Sequence, residues 1–61
     1  MTPTEIEVRR LLGEVYTPDG VETWLRSRNT SFRGRSAREM LDAGHSEVVL
    51  ARAQFIAGWA R

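Results

Sequence analysis

Helix-start punctuation recurs along this chain at short intervals, and it restricts the fold more than any other feature. Thr2-Pro3-Thr4-Glu5 is the first instance. Thr2 can accept from a free backbone N–H, Pro3 fits the first helical position, and Glu5 three residues after Thr2 closes a capping box. Val8, Leu11, Leu12 and Val15 then recur at i, i+3, i+4 and i+7, one apolar stripe widened by Ile6 and Tyr16. A helix is therefore expected within residues 1–16. Gly13 weakens it by about 1 kcal/mol relative to Ala or admits a close neighbouring helix. Thr17-Pro18-Asp19 opens a second helix, with Asp19 and Glu22 favourable near its positive end. Val21, Trp24 and Leu25 share a face, and the helix is expected to end near Arg28-Asn29, where Asn-Thr-Ser competes for backbone hydrogen bonds.

The remaining segments follow the same logic. Phe32 falls in a loop, as an inward anchor, and Gly34 relieves a tight turn. Ser36-Ala37-Arg38-Glu39 is a second capping box. It opens a short helix carrying Met40, Leu41 and Ala43, which Gly44 stops. Ser46 is expected to cap a last helix running to the C-terminus. Val48, Val49, Ala53, Phe55, Ile56, Trp59 and Ala60 form its broad apolar face, extended by Leu50 and Ala57. No segment alternates with period two, no hairpin dipeptide occurs and no internal repeat is visible. The expectation is an all-α fold, a small four-helix bundle-like domain covering residues 1–61. Its core would hold Trp24, Leu25, Phe32, Leu41 and Val48, with Gly34 and Gly44 at the corners.

A chain of 61 residues buries only about 60% of the surface its unfolded form exposes. Chains this small usually need a staple. Disulfides and thiolate metal sites are excluded by the absence of Cys, and one His with scattered carboxylates does not make a metal site. Association, with a second copy or another protein, is the expected source of added stability. No apolar run approaches the roughly 18 residues of a membrane span, and no signal-peptide pattern opens the chain. A cytoplasmic protein without membrane contact is expected.

The formal net charge of +1 argues against a general polyanion binder, but the charge is unevenly spread. Residues 1–22 set Arg9 and Arg10 against Glu5, Glu7, Glu14, Asp19 and Glu22. Residues 26–38 carry Arg26, Arg28, Arg33, Arg35 and Arg38 without an acid, a cationic stripe suited to carboxylate or phosphate. Catalysis finds no comparable support. His45 stands between Gly44 and Ser46 in a helix–helix turn with no orienting partner. Neither a Ser–His–Asp nor a Cys–His set can be assembled. No glycine-rich phosphate loop occurs, and no enzyme, cofactor or metal is expected. A helix-turn-helix has the outline of the pair around Gly44. Its second helix, however, begins Ser46-Glu47-Val48-Val49-Leu50, acidic then apolar, where a recognition helix needs polar and basic side chains. Non-specific phosphate contacts by the Arg stripe of a small DNA-associated regulator are the alternative. Partner binding is favoured. Phe55, Ile56 and Trp59 lie near the chain end, where few neighbours remain to cover them, and Trp and Arg are enriched at binding hot spots.

One stretch carries a further signal. Gly20-Val21-Glu22-Thr23-Trp24-Leu25, then Asn29, Phe32, Gly34-Arg35, Met40-Leu41, Gly44 and Val48 follow one another in an order that generic helical sequence does not produce. This resembles the toxin-binding domain of the Xre/MbcA/ParS-type antitoxins. Their pattern runs through a Trp-Leu pair, an Asn, an apolar residue, Gly-x-x-Pro, a Leu pair, a Gly and a valine-led last helix. The likeness extends from Gly20 to the C-terminus, within an antitoxin-like region 17–61, and Ala37 stands where the pattern has Pro. The resemblance implies a small helical domain that docks on a RES-type toxin, a protein that consumes or transfers parts of NAD, and blocks its active site. It also implies that the C-terminal end, here Trp59, Ala60 and Arg61, lies near the toxin pocket. The chain is expected to act without the N-terminal DNA-binding domain of many members. The partner-binding residues expected on both grounds are Phe55, Trp59, Arg61, Arg33 and Arg35.

Overall fold

The computed structural model describes residues 2–59. Four helices follow one another: α1 (Pro3–Leu12), α2 (Pro18–Arg26), α3 (Ala37–Asp42) and α4 (Ser46–Trp59). Between α2 and α3 lie a two-residue strand β1 (Arg28–Asn29), a 3-10 turn (Thr30–Phe32) and a two-residue strand β2 (Arg35–Ser36). The strands pair antiparallel, Arg28 with Ser36 and Asn29 with Arg35. The expected all-α, four-helix architecture is present. The strands were invisible in the sequence because two residues are too few to display alternation. Among the described residues no helix is long and apolar enough to cross a membrane.

The helix starts form as their residue types dictate. Thr2 Oγ1 accepts from the Glu5 N–H at 3.2 Å, and Thr17 Oγ1 accepts from the Gly20 N–H at 3.1 Å, each one residue ahead of a proline that opens its helix. At α3 both halves of the capping box form. Ser36 Oγ accepts from the Glu39 N–H and Glu39 Oε1 accepts from the Ser36 N–H, both at 3.1 Å. The box expected at α1 is only half made, because the Glu5 carboxylate is engaged by Arg38 and Arg9 instead. Helix α3 has six residues and little packing surface, so it depends on its cap. Ser36→Ala should lower stability by about 1–2 kcal/mol in chemical denaturation. A loss under about 0.3 kcal/mol would show that packing alone holds the helix.

Two boundaries differ from expectation. Helix α1 ends at Leu12, not at Tyr16, because the chain must reach the extended Thr17 that precedes Pro18. Val15 and Tyr16 donate backbone N–H groups to the Leu12 carbonyl in a closing turn, and their side chains are exposed. Gly13 caps the helix, and a Cβ there would meet only carbonyls of its own helix, so no neighbour exploits it. At the end of α3, Gly44 (φ +86°) donates to the Leu41 carbonyl and His45 to the Met40 carbonyl, a Schellman closure that a Cβ would strain. Ser46 is consequently the first residue of α4 and not a residue preceding it.

The core sits between α1 and α4, the most extensive helix pairing, and continues under α2 and α3. Val8, Leu11 and Leu12 of α1 and Val49, Ala53 and Ala57 of α4 are buried. The alanines stand at i and i+4 along α4 and allow close helix approach. Val21, Leu25, Phe32 and Ala37 complete the buried cluster. Of the expected core, Leu25 and Phe32 are buried, while Trp24 and Leu41 pack half-buried against its edge. Trp24 meets Phe32 edge-on, with ring centroids 6.0 Å apart at 87°, and so ties α2 to the 3-10 turn. Val48 is a correction. It is 46% exposed, and its neighbour Val49 takes the inward position.

Candidate partner-binding surface

Helix α4 is apolar on two sides. At about 100° per residue, Val48, Arg52, Phe55 and Trp59 fall within about 60° of one another, and that stripe lies roughly 130° around the helix from buried Ala53. Phe55 is 56% exposed and Trp59 81%, so the outward stripe is apolar surface without cover from the described chain. Large exposed apolar side chains aligned in this way mark contact surfaces. Between them the Arg52 guanidinium carbon stands 4.9 Å from the Phe55 ring centroid, in cation–π range. Arg52 Nε is buried without a hydrogen-bond partner among the described residues.

The arginines of residues 26–38 do not form one stripe. Arg38 leaves it. Its Nη1 and Nη2 donate to the two oxygens of Glu5, both at 2.8 Å, and Arg9 Nε donates to Glu5 Oε2 at 3.1 Å. The Arg38 hydrogen bonds, opposed by burial and reinforced by Arg9, lower the Glu5 pKa to about 2. Arg9 also pairs with Glu22, and Arg10 with Glu7 at 2.7 Å. In contrast Arg26, Arg28, Arg33 and Arg35 are exposed and make no hydrogen bond or ion pair through their side chains among the described residues. Arg28 and Arg35 act on Glu39 only through longer-range attraction.

Arg33 and Arg35 flank a cleft of about 450 Å³ where the 3-10 turn meets the junction of α3 and α4. Ser31, Arg33, Arg35 and His45 bring polar groups to it, and Phe32, Met40 and Val48 bring apolar ones. Val48 thus belongs both to the cleft and to the outer stripe of α4. The cleft and Trp59 therefore lie toward opposite ends of α4, with about 16 Å of axial rise between Val48 and Trp59.

Compared with known proteins, the chain matches no family model, no curated protein and no solved structure. The surface must therefore be read from its own residues.

Of the expected contact residues, Phe55 and Trp59 share the outer face of α4, and Arg33 and Arg35 share the cleft. Arg61, like Ala60, lies outside the described residues. Sequence reasoning missed Val48 and Arg52 as surface residues and His45 and Ser31 as cleft residues. The 48, 52, 55, 59 spacing was a visible signal for the first pair. Nothing local marks the second, because the cleft joins residues from separate elements.

Proposed function

We propose that this chain is a cytoplasmic, antitoxin-like protein-binding module that neutralises a RES-type, NAD-consuming toxin by occluding its active site. Docking runs along the outer face of α4. One observation carries this reading: Val48, Phe55 and Trp59 form an exposed apolar stripe along one face of α4. The order of Trp24-Leu25, Asn29, Phe32, Gly34, Met40-Leu41 and Gly44 supports the antitoxin assignment through its likeness to the Xre/MbcA/ParS type. Occlusion needs no catalytic group on the antitoxin, only a surface that fits and excludes substrate. Association would also stabilise the module by mass action, since the partner binds the folded state alone.

The alternative, a small DNA-associated regulator, draws on the unpaired Arg26, Arg28, Arg33 and Arg35. These side chains come from a helix end, two short strands and a turn, so no helix offers them together to a groove. Co-expression with a RES-type toxin encoded beside this chain separates the two. Rescue of growth together with a co-purifying complex is the expected result. Neither effect, with salt-sensitive binding of duplex DNA in its place, would replace the antitoxin reading by the regulator.

A further inference from the structure

The cleft between the 3-10 turn and the start of α4 has features that toxin docking does not use. Its volume of about 450 Å³ falls in the range of small-molecule sites, about 300–1,000 Å³. Its composition also suits one: Phe32, Met40 and Val48 line it together with Ser31, Arg33, Arg35 and His45. Among the described residues no carboxylate lines it. Three of the described arginines have acid partners: Arg9 pairs with Glu5 and Glu22, Arg10 with Glu7 and Arg38 with Glu5. The two cleft arginines have no such partner, and Glu39, which Arg35 influences at range, is already committed to the Ser36 N–H of the α3 cap.

The backbone adds a second, independent observation. Arg33 adopts the left-handed conformation, φ +56° and ψ +39°, directly before Gly34 at φ +83°. A residue with a Cβ is disfavoured there by roughly 1–2 kcal/mol, and glycine would turn the chain without that cost. Strain of this kind tends to collect at functional positions. Here it falls on Arg33, which lines the cleft.

We propose that the cleft binds a small organic anion, a carboxylate or phosphate carried on an apolar body. Arg33 and Arg35 take the acid group through charge-assisted hydrogen bonds. Met40 and Val48 cover the apolar body. Ser31 and His45, which also line the cleft, contribute further donors. The site requires no second protein and shares only Val48 with the proposed toxin-docking face.

Two-dimensional 1H–15N spectra of the full chain at constant ionic strength test this. The probes are phenyl phosphate, benzoate and inorganic phosphate. Phenyl phosphate should give saturable shifts confined to residues 31–35 and 45–48, and bind about tenfold more tightly than inorganic phosphate because the ring is removed from water. Benzoate against phenyl phosphate tells which acid group the cleft prefers. The double variant Arg33→Gly with Arg35→Gln should weaken phenyl phosphate at least about tenfold. Its melting should be unimpaired, since glycine relieves the strained turn. Arg26→Gln, outside the cleft, should change affinity less than about twofold. Non-saturating shifts spread over the exposed arginines, equal binding of inorganic phosphate, or full affinity in the double variant would each overturn the proposal.

Discussion

Glu5→Gln should destabilise the domain by about 2 kcal/mol and lower its melting temperature by roughly 10–15 °C. Glu5 is 7% exposed, and its carboxylate is the only acidic group among the buried residues described. It accepts both terminal nitrogens of Arg38 at 2.8 Å and Nε of Arg9 at 3.1 Å, which fastens α1 to α3. A lowering from 4.5 to about 2 corresponds to about 3 kcal/mol favouring the charged form. Arg38 is 37% exposed and keeps part of its hydration, so the loss is discounted to about 2 kcal/mol. A domain of this size has about 3–9 kcal/mol in total, so one neutral replacement removes a large share. Thermal circular dichroism at pH 7 measures it. Glu7→Gln, which breaks the exposed pair with Arg10, serves as control and should melt near the parent. A Glu5→Gln melting temperature within about 3 °C of the parent would dismiss the clamp.

The same group sets an acid limit. Its folded pKa lies below the unfolded one, so its contribution is complete above about 4.5 and disappears as pH falls through about 2. The parent protein should therefore lose stability between those values more steeply than Glu5→Gln. Exposed Glu7, Glu22 and Glu39, also lowered by hydrogen bonding, add a shallower dependence common to both proteins. Parallel pH profiles would mean that the carboxylate exchanges its arginine partners for water at no cost.

If the proposed antitoxin reading holds, Trp59→Ala should weaken toxin binding by more than about 2 kcal/mol, roughly thirtyfold, while leaving helicity and melting unchanged. The expectation of intact folding rests on the 81% exposure of Trp59, which leaves little of its ring against the chain. The expectation of lost binding rests on its place in the stripe with Phe55 and Val48 and on the large area an indole buries at an interface. Binding is measured by calorimetry with the co-purified toxin, and folding by circular dichroism on the free chain. Unaltered affinity would remove the stripe from the docking surface. A parallel loss of helicity would assign Trp59 to the fold instead.

Much of the local structure was legible because its causes are local. A Thr before a Pro, a Ser three residues before a Glu, and a Gly with positive φ each act within a turn of backbone. Where two uses competed for one side chain, the local reading failed. Glu5 fits a capping box by spacing, yet a guanidinium from 33 residues away in the chain offers its carboxylate more than the Thr2 backbone does. The same applies to Val48 and Val49. Both fit an apolar helix, and only the direction from which α1 approaches decides which of them is buried. The candidate surface divides likewise. Phe55 and Trp59 stand one turn apart on a single helix and could be named from that spacing, whereas the cleft around Arg33 and Arg35 depends on a left-handed residue and on a turn brought up from α3.

By itself the sequence determined four helices, the capped starts of the first three, the Gly44 stop of α3 and the all-α class, because capping and periodicity are decided by neighbours a few residues apart. Only the tertiary structure decided which face of α4 is buried, which arginines are neutralised and which stay free, and where the cleft lies. Those outcomes depend on burial and on charge pairing between distant segments, whose energies exist only once the helices have packed.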